Sequence, residues 1–288
     1  MSAAGVVGTA VRRRRDPVGV AFWLLGLAVF AFLFAPIVVI VIYSFNDGRL
    51  LGSWHGFGFD AYRNAVHNAT IRDAVRISLL SGVLAAVLAT ALGTVGGVVL
   101  ARVRSRWALG LTALLAITLV TPEIIDAISI LPWFVTLGTD GHVPLLNNGL
   151  VRLVVVHTSV ALATVTFMVR ARMAGMDAAI EEAAADLYAT PWNRFRQVTL
   201  PMAKPSILAG ALMAFTLSLD NTVVSSFVAL PGSTSWPVYL FGTLRTGPRP
   251  EVAAVSTLML LLTLGALALV AVVLRRGGER DLASALAG

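Results

Sequence analysis

Long apolar stretches that contain no charged residue dominate the chain. A bilayer core is about 30 Å thick, and an α-helix needs about 20 apolar residues to cross it. Four of the stretches meet or approach that length, and two are shorter. They are Pro17–Asn46, Ile77–Ala101, Trp107–Pro122, Leu153–Val169, Pro205–Leu219 and Val252–Leu274. The pattern predicts an all-α polytopic membrane protein.

The two short stretches each end at an acidic residue and then continue as apolar sequence. One runs on through Glu123 and Asp126, and the other runs on through Asp220 and Asn221. Including these residues gives six transmembrane helices, two of which carry carboxylates inside the membrane. The predicted spans are about 18–45, 75–101, 107–138, 149–170, 204–229 and 251–274, in one transmembrane domain (17–288) that follows a cytoplasmic tail (1–16).

The composition excludes other classes of protein. Of 288 residues, 57% are hydrophobic and 13% are charged, whereas a soluble domain carries about 25% charged residues. A soluble enzyme and a disordered chain are therefore both excluded. The absence of cysteine excludes disulfides and thiolate metal sites. The histidines lack metal-ligand spacing and are interpreted as loop or helix-end residues: His55, His67, His142 and His157.

The basic residues predict how the helices are oriented. The chain has 22 Lys and Arg against 15 Asp and Glu, a net charge of +7. With the N-terminus in the cytoplasm, 15 of the 22 basic residues lie on inner segments, as the positive-inside rule requires. Both termini are then cytoplasmic, and the first span is an uncleaved anchor. A nucleic-acid partner is not expected.

Two further patterns concern helix contacts. In the outer loop 46–72, Phe59, Tyr62, Ala65 and Val66 fall at helical spacing, which predicts a short interfacial helix on that face. In the second span, a Gly-x-x-x-Gly pair at 93 and 97 predicts a close approach of two helices.

The long inner loop, residues 171–203, is the most polar part of the chain. Asp177–Leu187 is rich in alanine and acidic residues, which predicts a helix. Thr190-Pro191 has the form of an N-cap followed by proline at the first helical position. A second short helix should follow and end at Leu200-Pro201. Two structured helices that carry exposed aromatic residues indicate a docking surface in the cytoplasm.

One motif in this loop is specific. Glu182-Ala183-Ala184 is followed after three residues by Tyr188, and after nine more by Val198-x-Leu200-Pro201. This resembles the Glu-Ala-Ala loop of the permease subunits of binding-protein-dependent ABC importers, with the family's spacing. Val198 replaces the usual isoleucine, and Tyr188 replaces a glycine that permits a sharp turn. Tyr188 must therefore form an ordinary turn or adopt a strained backbone.

The resemblance implies the ABC-importer permease (MetI-like) fold and a loop that docks on an ATPase. It assigns these residues to the coupling loop: Glu181, Glu182, Ala183, Ala184, Asp186, Leu187, Tyr188, Val198, Leu200 and Pro201. The implied partners are two cytoplasmic ABC ATPase subunits, a second permease subunit different from this one, an extracytoplasmic solute-binding protein and membrane lipid. The implied location is the bacterial inner membrane. The chain itself is expected to be non-catalytic and to bind no cofactor, with ATP and Mg²⁺ on the partner subunits, since it has no phosphate-binding loop.

Two membrane segments look most like those of the polyamine (spermidine/putrescine) importers. They are Thr121–Ser129 and Phe215–Phe227. The polyamine pattern has a second acid where Asn221 stands, so this chain departs from it at one position. A polyamine is the cargo that the resemblance favours. A metal cation, thiamine and an amino-acid derivative stay open as alternatives.

The carboxylates inside the membrane also favour a cationic cargo. Glu123 lies 16 residues after Trp107, and Asp220 lies 15 after Pro205. In straight helices both would lie roughly 23 Å from the inner face, with Asp126 one turn further out. A charged residue in the bilayer costs at least about 2.5 kcal/mol unless it meets water, a partner or a ligand.

The predicted substrate pathway comprises Glu123, Asp126, Trp133, Asp220 and Asn221. Trp133 and Phe134 would add cation–π contacts. Alternatively, the acids form interhelical hydrogen bonds or cap a kink after Pro122, and Trp133 is an interfacial aromatic. A protein of a different class, a proton-coupled secondary transporter, would show inverted repeats, which the sequence lacks. An intramembrane enzyme would need a His-Glu-x-x-His or Ser–His arrangement, which is also missing.

Overall fold

The computed structural model describes residues 17–286 except positions 49, 104, 142, 246 and 248, with side chains described between residues 18 and 272 apart from those positions and 139. The predicted tail 1–16, with its arginine run, lies outside the described residues, as does His142.

The described residues form helices joined by short connections, which confirms the all-α class. The twelve α-helices are α1 (Pro17–Tyr43), α2 (Asp60–His67), α3 (Ala69–Arg102), α4 (Arg106–Val120), α5 (Glu123–Val135), α6 (Gly149–Ala174), α7 (Ala179–Asp186), α8 (Pro191–Arg194), α9 (Leu200–Asp220), α10 (Val223–Val228), α11 (Trp236–Thr243) and α12 (Pro250–Leu286). A 3₁₀ turn, Pro144–Asn147, precedes α6, and π-helical turns follow α5 and α8.

Five helical segments are long and apolar enough to cross a membrane. They comprise α1, α3, α6, the continuous run of α8 and α9, and the part of α12 up to Val272. The bent pair of α4 and α5 would make a sixth span.

The predicted third span, 107–138, is wrong as a single straight helix. Helix α4 ends at Val120, and α5 leaves at 111° to it. The break falls at Thr121-Pro122, where Thr121 is extended with ψ of 128°. Proline disfavours the helical conformation of the residue before it and has no N–H for the helix ladder. Both effects end α4 at this point.

The predicted fifth span, 204–229, is likewise interrupted. Helix α9 ends at Asp220, Asn221 is non-helical with ψ of 95°, and α10 begins at Val223. At its inner end, α9 starts earlier than expected, because Leu200-Pro201 does not end the preceding helix. The π-helical turn Phe195–Thr199 leads directly into α9, with proline in its first turn. The helix is continuous here, since Thr199 and Leu200 keep helical dihedral angles and the Leu200 N–H donates to the Phe195 carbonyl. The local π-helical irregularity thus lies next to a proline that has no N–H for the regular ladder.

The core of the bundle is built by α3, α6 and α9. Its buried residues are mostly alanine and valine, with Met173 at the inner end. A Cβ added at Gly97 would lie 2.7 Å from the Cβ of Val169 and 2.8 Å from the carbonyl oxygen of Thr166. Only glycine allows this approach, so the close contact predicted from the Gly-x-x-x-Gly pair is confirmed.

The outer loop contains the predicted short helix, α2. Ala61 and Ala65 are buried, whereas Phe59 and Val66 are exposed. The Tyr62 hydroxyl forms a 2.7 Å hydrogen bond with Ser44 Oγ just after α1. This bond and the edge-on and tilted contacts of the Phe45 ring with Phe59 and Tyr62 connect α2 to the end of α1.

Candidate functional site

The first helix of the inner loop lies close to where the sequence predicts it. The prediction was Asp177–Leu187, and α7 spans Ala179–Asp186. Asp177 Oδ1 accepts a 2.9 Å hydrogen bond from the Ala179 N–H. The carboxylate thus satisfies one of the free N–H groups at the helix start.

Tyr188 adopts the strained alternative for the turn after α7. Its φ is +60°. The Tyr188 N–H donates to the Ala185 carbonyl at 2.9 Å, and the Ala189 N–H donates to the Ala184 carbonyl at 3.1 Å. This pair of bonds defines a Schellman motif, in which the left-handed position is usually glycine. The tyrosine therefore keeps the glycine-type turn, with its side chain 96% exposed.

The second helix of the loop begins as predicted at Thr190-Pro191. The Thr190 Oγ1 accepts from the Asn193 N–H at 3.3 Å. The rings of Trp192 and Phe195 stack with centroids 5.9 Å apart, and Trp192 is exposed. This part of the loop therefore presents aromatic surface outward.

Glu181 faces inward and joins three parts of the chain. Its Oε2 lies 3.0 Å from Arg102 Nε at the inner end of α3. Its Oε1 accepts a 2.8 Å hydrogen bond from Thr199 Oγ1 in the turn before α9. The sequence predicted Glu181 as a coupling residue but missed Arg102 and Thr199, because the arginine was interpreted only as a topology signal.

The other predicted coupling residues fall into two groups. Exposed positions on α7 and the turn form one surface: Glu182, Ala183, Asp186, Leu187 and Tyr188. Partly covered positions lie on the inward side or near the membrane: Ala184, Val198 and Leu200. Pro201 is exposed in the first turn of α9.

Glu123 and Asp126 lie in the first turn of α5, where the helix dipole stabilises carboxylates. Glu123 is exposed and Asp126 is half-buried. Because α5 leaves α4 at 111°, Asp126 does not lie one turn further out along the same axis, and this part of the depth prediction is wrong.

The predicted aromatic partners near these acids are placed differently from expectation. Trp133 is 65% exposed. Phe134 is buried, and the Arg152 guanidinium lies 5.5 Å from its ring centroid. A cation of the chain itself therefore occupies the face of Phe134.

Asp220 lies in a cavity that the sequence only partly indicated. It is the exposed last residue of α9, so its carboxylate lies at the negative end of the helix dipole. The cavity has a volume of about 280 Å³. Its walls combine hydroxyl, aromatic and apolar groups: Ser78, Thr216, Leu219, Asp220, Trp236, Met259, Leu260 and Thr263.

Trp236 is the wall residue that sequence reasoning missed, because it follows a proline- and turn-rich outer segment. It opens α11, and its backbone N–H donates to Ser78 Oγ of α3 at 2.7 Å. Its ring stacks on Tyr239, with centroids 5.6 Å apart.

Within the described residues, the carboxylates of Glu123, Asp126 and Asp220 form no ion pair. The described part of the chain also brings together no three His, Asp or Glu side chains that could hold a metal ion. The cavity at Asp220 thus offers an unpaired anion, hydroxyl oxygens and an indole, which together suit an organic ammonium group.

Asn221 is buried beside this cavity and shapes the break after α9. Its Oδ1 accepts from the Ser225 N–H at 3.3 Å, and its carbonyl accepts from Ser225 Oγ at 2.6 Å. His157, predicted as a loop or helix-end residue, instead lies buried in the middle of α6. Its ring nitrogens contact Ser218 Oγ and Ser225 Oγ.

The sequence is similar to known transport proteins over most of its length. It is 38% identical to the putrescine transport system permease protein PotI of Escherichia coli K12 over 85% of this chain and 86% of that protein. It is 34% identical to the spermidine/putrescine transport system permease protein PotC of Haemophilus influenzae over 87% of this chain and 95% of that protein.

The fold is similar to that of a solved ABC transporter. A chain of the bacterial alginate ABC transporter, crystallised with a periplasmic protein bound to an alginate pentasaccharide, aligns with a TM-score of 0.67. The alignment covers 87% of this chain and 92% of that one at 13% identity. This likeness concerns the fold alone.

The family model for binding-protein-dependent transport system inner membrane components matches residues 93–277. The matched segment contains the inner loop, the bent pair of helices and all residues that line the Asp220 cavity except Ser78. The protein is thus a non-catalytic, membrane-embedded transport component that works with an ATPase and a substrate-binding protein. The chain belongs to the family of binding-protein-dependent transport system inner membrane components, as the permease subunit of an ABC importer.

Proposed function

We propose that this permease imports a polyamine, putrescine or spermidine. The observation that supports the proposal is the Asp220 carboxylate, which forms no ion pair with any described residue and lines a cavity with Trp236 and two threonines. A primary ammonium group would neutralise the carboxylate, bind to the hydroxyls and lie against the indole. The names of PotI and PotC support the same substrate class.

Asp220 is the principal substrate contact in this proposal. Its position at the end of α9 makes an unpaired carboxylate unfavourable, since the last carbonyls of a helix are themselves negative. A cation in the cavity is attracted both by the Asp220 carboxylate and by these carbonyl groups. Glu123 and Asp126 are further pathway residues because neither carboxylate is buried within the chain and both lie at the start of α5. Trp133 and Asn221 complete the proposed set, Asn221 by holding the backbone next to Asp220.

The inner loop is proposed to couple transport to ATP hydrolysis. The exposed surface of Glu182, Ala183, Asp186, Leu187 and Tyr188 would seat in an ATPase groove, because alanine-rich helices settle closely against a partner. Glu181 would carry the movement to α3 and α9 through Arg102 and Thr199. ATP and Mg²⁺ would reside on the ATPase subunits, with no cofactor on this chain.

The proposed assembly contains two permease subunits, of which this chain is one and a different chain is the other. Two ATPase subunits would bind from the cytoplasm, where both termini would lie, and a binding protein would deliver substrate from outside. Closure of the ATPase pair would open the cavity outward, and hydrolysis would open it inward. A substrate would thus cross the membrane without a continuous pore.

The test is uptake of radiolabelled putrescine and spermidine by the assembled transporter in proteoliposomes. We expect Asp220→Asn to lower uptake about tenfold or more, because the neutral amide no longer compensates an ammonium charge. The matched control is Asp73→Asn, which neutralises an exposed acid of α3 outside the cavity. Unchanged uptake by Asp220→Asn would remove Asp220 from the pathway. If the native complex imports neither polyamine in the presence of ATP, the proposed substrate class is refuted.

A further inference from the structure

A buried histidine bridges the break between α9 and α10. His157 is 2% exposed and lies in the middle of α6. Its Nδ1 lies 2.5 Å from Ser218 Oγ in α9, and its Nε2 lies 2.8 Å from Ser225 Oγ in α10. The imidazole therefore holds one residue on each side of the break.

The hydrogen bonds of this group have one consistent direction. Ser225 Oγ donates its proton to the Asn221 carbonyl at 2.6 Å, so it accepts from His157 Nε2–H. Nδ1 is then the acceptor, and the Ser218 hydroxyl donates to it. The neutral imidazole satisfies every bond without placing a cation among apolar side chains. Such a fully satisfied chain of hydrogen bonds rigidifies its surroundings.

The bridged segment contains Asp220. Ser218 lies two residues before Asp220, and Ser225 lies five residues after it. Ser225 also binds Asn221 through both the backbone and the side chain of that residue. The direction in which Asp220 leaves α9 is therefore set by the imidazole and the two serines.

The bridge also reaches the second broken helix pair. Val156, next to His157, packs in one buried cluster with Val224 and Val228 of α10. The same cluster contains Ala127 of α5, next to Asp126. Residues 156 and 157 of α6 thus contact both interrupted helix pairs. They pack against α9 and α10 next to Asp220, and against α5 next to Asp126.

We propose that His157 is a positioning residue for translocation, which acts by fixing the Asp220 carboxylate at the cavity. The proposal rests on the proposed role of Asp220 in the pathway. Leucine would fill a similar volume at position 157, but it would leave Ser218 and Ser225 without their shared partner. Interhelical hydrogen bonds of this kind contribute modestly to the stability of a membrane bundle, so the main loss would be in geometry.

The first test compares uptake by variants of the complete transporter. We expect His157→Leu to lower putrescine uptake about tenfold at normal membrane levels, because the buried Ser218 hydroxyl loses its acceptor and the buried Ser225 hydroxyl loses its imidazole donor. His157→Gln, which keeps an amide N–H near the Nε2 position, should recover part of the loss. The control is Ser159→Ala in the same helix, whose hydroxyl bonds only to the Val156 carbonyl of its own helix.

The second test measures position without relying on transport. The chain has no cysteine, so Asp220→Cys introduces its only thiol. The rate at which a cationic, membrane-impermeant methanethiosulfonate modifies this thiol is read on the separated subunit. We expect His157→Leu to change that rate several-fold and His157→Gln to change it less. Ser225→Ala, which removes a single oxygen, provides the same readout if His157→Leu does not accumulate.

The outcomes separate the two proposals. Native uptake and an unchanged thiol rate in His157→Leu would overturn the positioning role. Normal uptake by Asp220→Asn together with a changed thiol rate would refute the substrate role of Asp220 and leave the bridge standing. Equal losses of uptake in His157→Leu and His157→Gln, with an unchanged thiol rate, would reduce His157 to a packing residue.

Discussion

Tyr188 holds a backbone position that glycine normally occupies. The left-handed conformation costs an L-residue roughly 1–2 kcal/mol, and the side chain recovers little of this within the chain because it is 96% exposed. The two hydrogen bonds of the Schellman motif fix the turn regardless of the side chain. The turn between α7 and α8 is therefore maintained against the preference of its central residue.

Replacement of Tyr188 by glycine should relieve this strain. We expect Tyr188→Gly to preserve or improve assembly with the ATPase, because glycine adopts positive φ without a steric penalty. Assembly is measured by titrating the purified ATPase onto the permease in nanodiscs. Tyr188→Ala is the control, since it removes the ring but keeps the strained Cβ, and it should assemble no better than the native chain. Loss of ATPase binding by Tyr188→Gly would instead show that the ring makes a specific contact.

At the scale of elements, the inner loop is tied to the bundle by one carboxylate. Glu181 contacts Arg102 at the end of α3 and Thr199 at the start of α9. Both helices belong to the core, and α9 ends at Asp220. A movement of α7 therefore has a short physical route through α9 to the proposed substrate cavity.

Reversing the charges of the ion pair tests this route. Glu181→Arg and Arg102→Glu should each lower ATP-driven uptake several-fold, because each places two like charges at a partly buried contact. The double variant should recover part of the activity, since it restores opposite charges. The control reverses the charges of Asp60 and Arg63, whose carboxylate oxygen and guanidinium nitrogen lie 3.7 Å apart at a largely exposed position. This reversal should change uptake little, because exposed ion pairs contribute little. Equal uptake by the two single variants and the double variant would contradict a role for the ion pair.

The sequence predicted the helices better than their interruptions. The long charge-free apolar stretches over α3 and α6 predicted uninterrupted helices, and Thr190-Pro191 correctly marked the start of α8. The break before α5 had a local signal in Pro122, but the break after Asp220 has neither proline nor glycine. Hydrogen bonds of His157 with Ser218 and Ser225 span that break, and the imidazole lies 61 and 68 residues along the chain from the two serines. Such contacts cannot be inferred from periodicity.

The candidate site, like the helices, was predictable only where the signal is local in sequence. The acids were found because charged residues in apolar stretches are costly. Trp133 was considered because it lies close in sequence to Glu123, whereas Trp236 reaches the Asp220 cavity only through tertiary packing on α3 and was missed. Spacing along one helix cannot indicate a contact made by a distant loop.

At the scale of the whole molecule, apolar, polar and charged residues occupy different regions of the bundle. Small apolar residues fill the interface of α3, α6 and α9. A group of buried polar residues, His157, Ser218, Asn221 and Ser225, lies at the break between α9 and α10. Most described charges lie near the ends of the helices, while Glu123, Asp126 and Asp220 lie at the two helix breaks. Helix α1 is exposed along the whole of its apolar window, so it presents its surface to lipid or to another subunit.

The proposed orientation of the bundle rests on the distribution of its 22 basic residues, 15 of which would face the cytoplasm. The cysteine-free chain allows a direct check. Leu187→Cys places a thiol in the inner loop, at an 81% exposed position, and Val143→Cys places one in the outer loop. In intact spheroplasts we expect an impermeant maleimide to label position 143 only, and to label position 187 only after permeabilisation. Each variant serves as the other's control for reactivity. The reverse pattern would place α7 outside the cell, where no ATPase could reach it, and would contradict the coupling role together with the orientation.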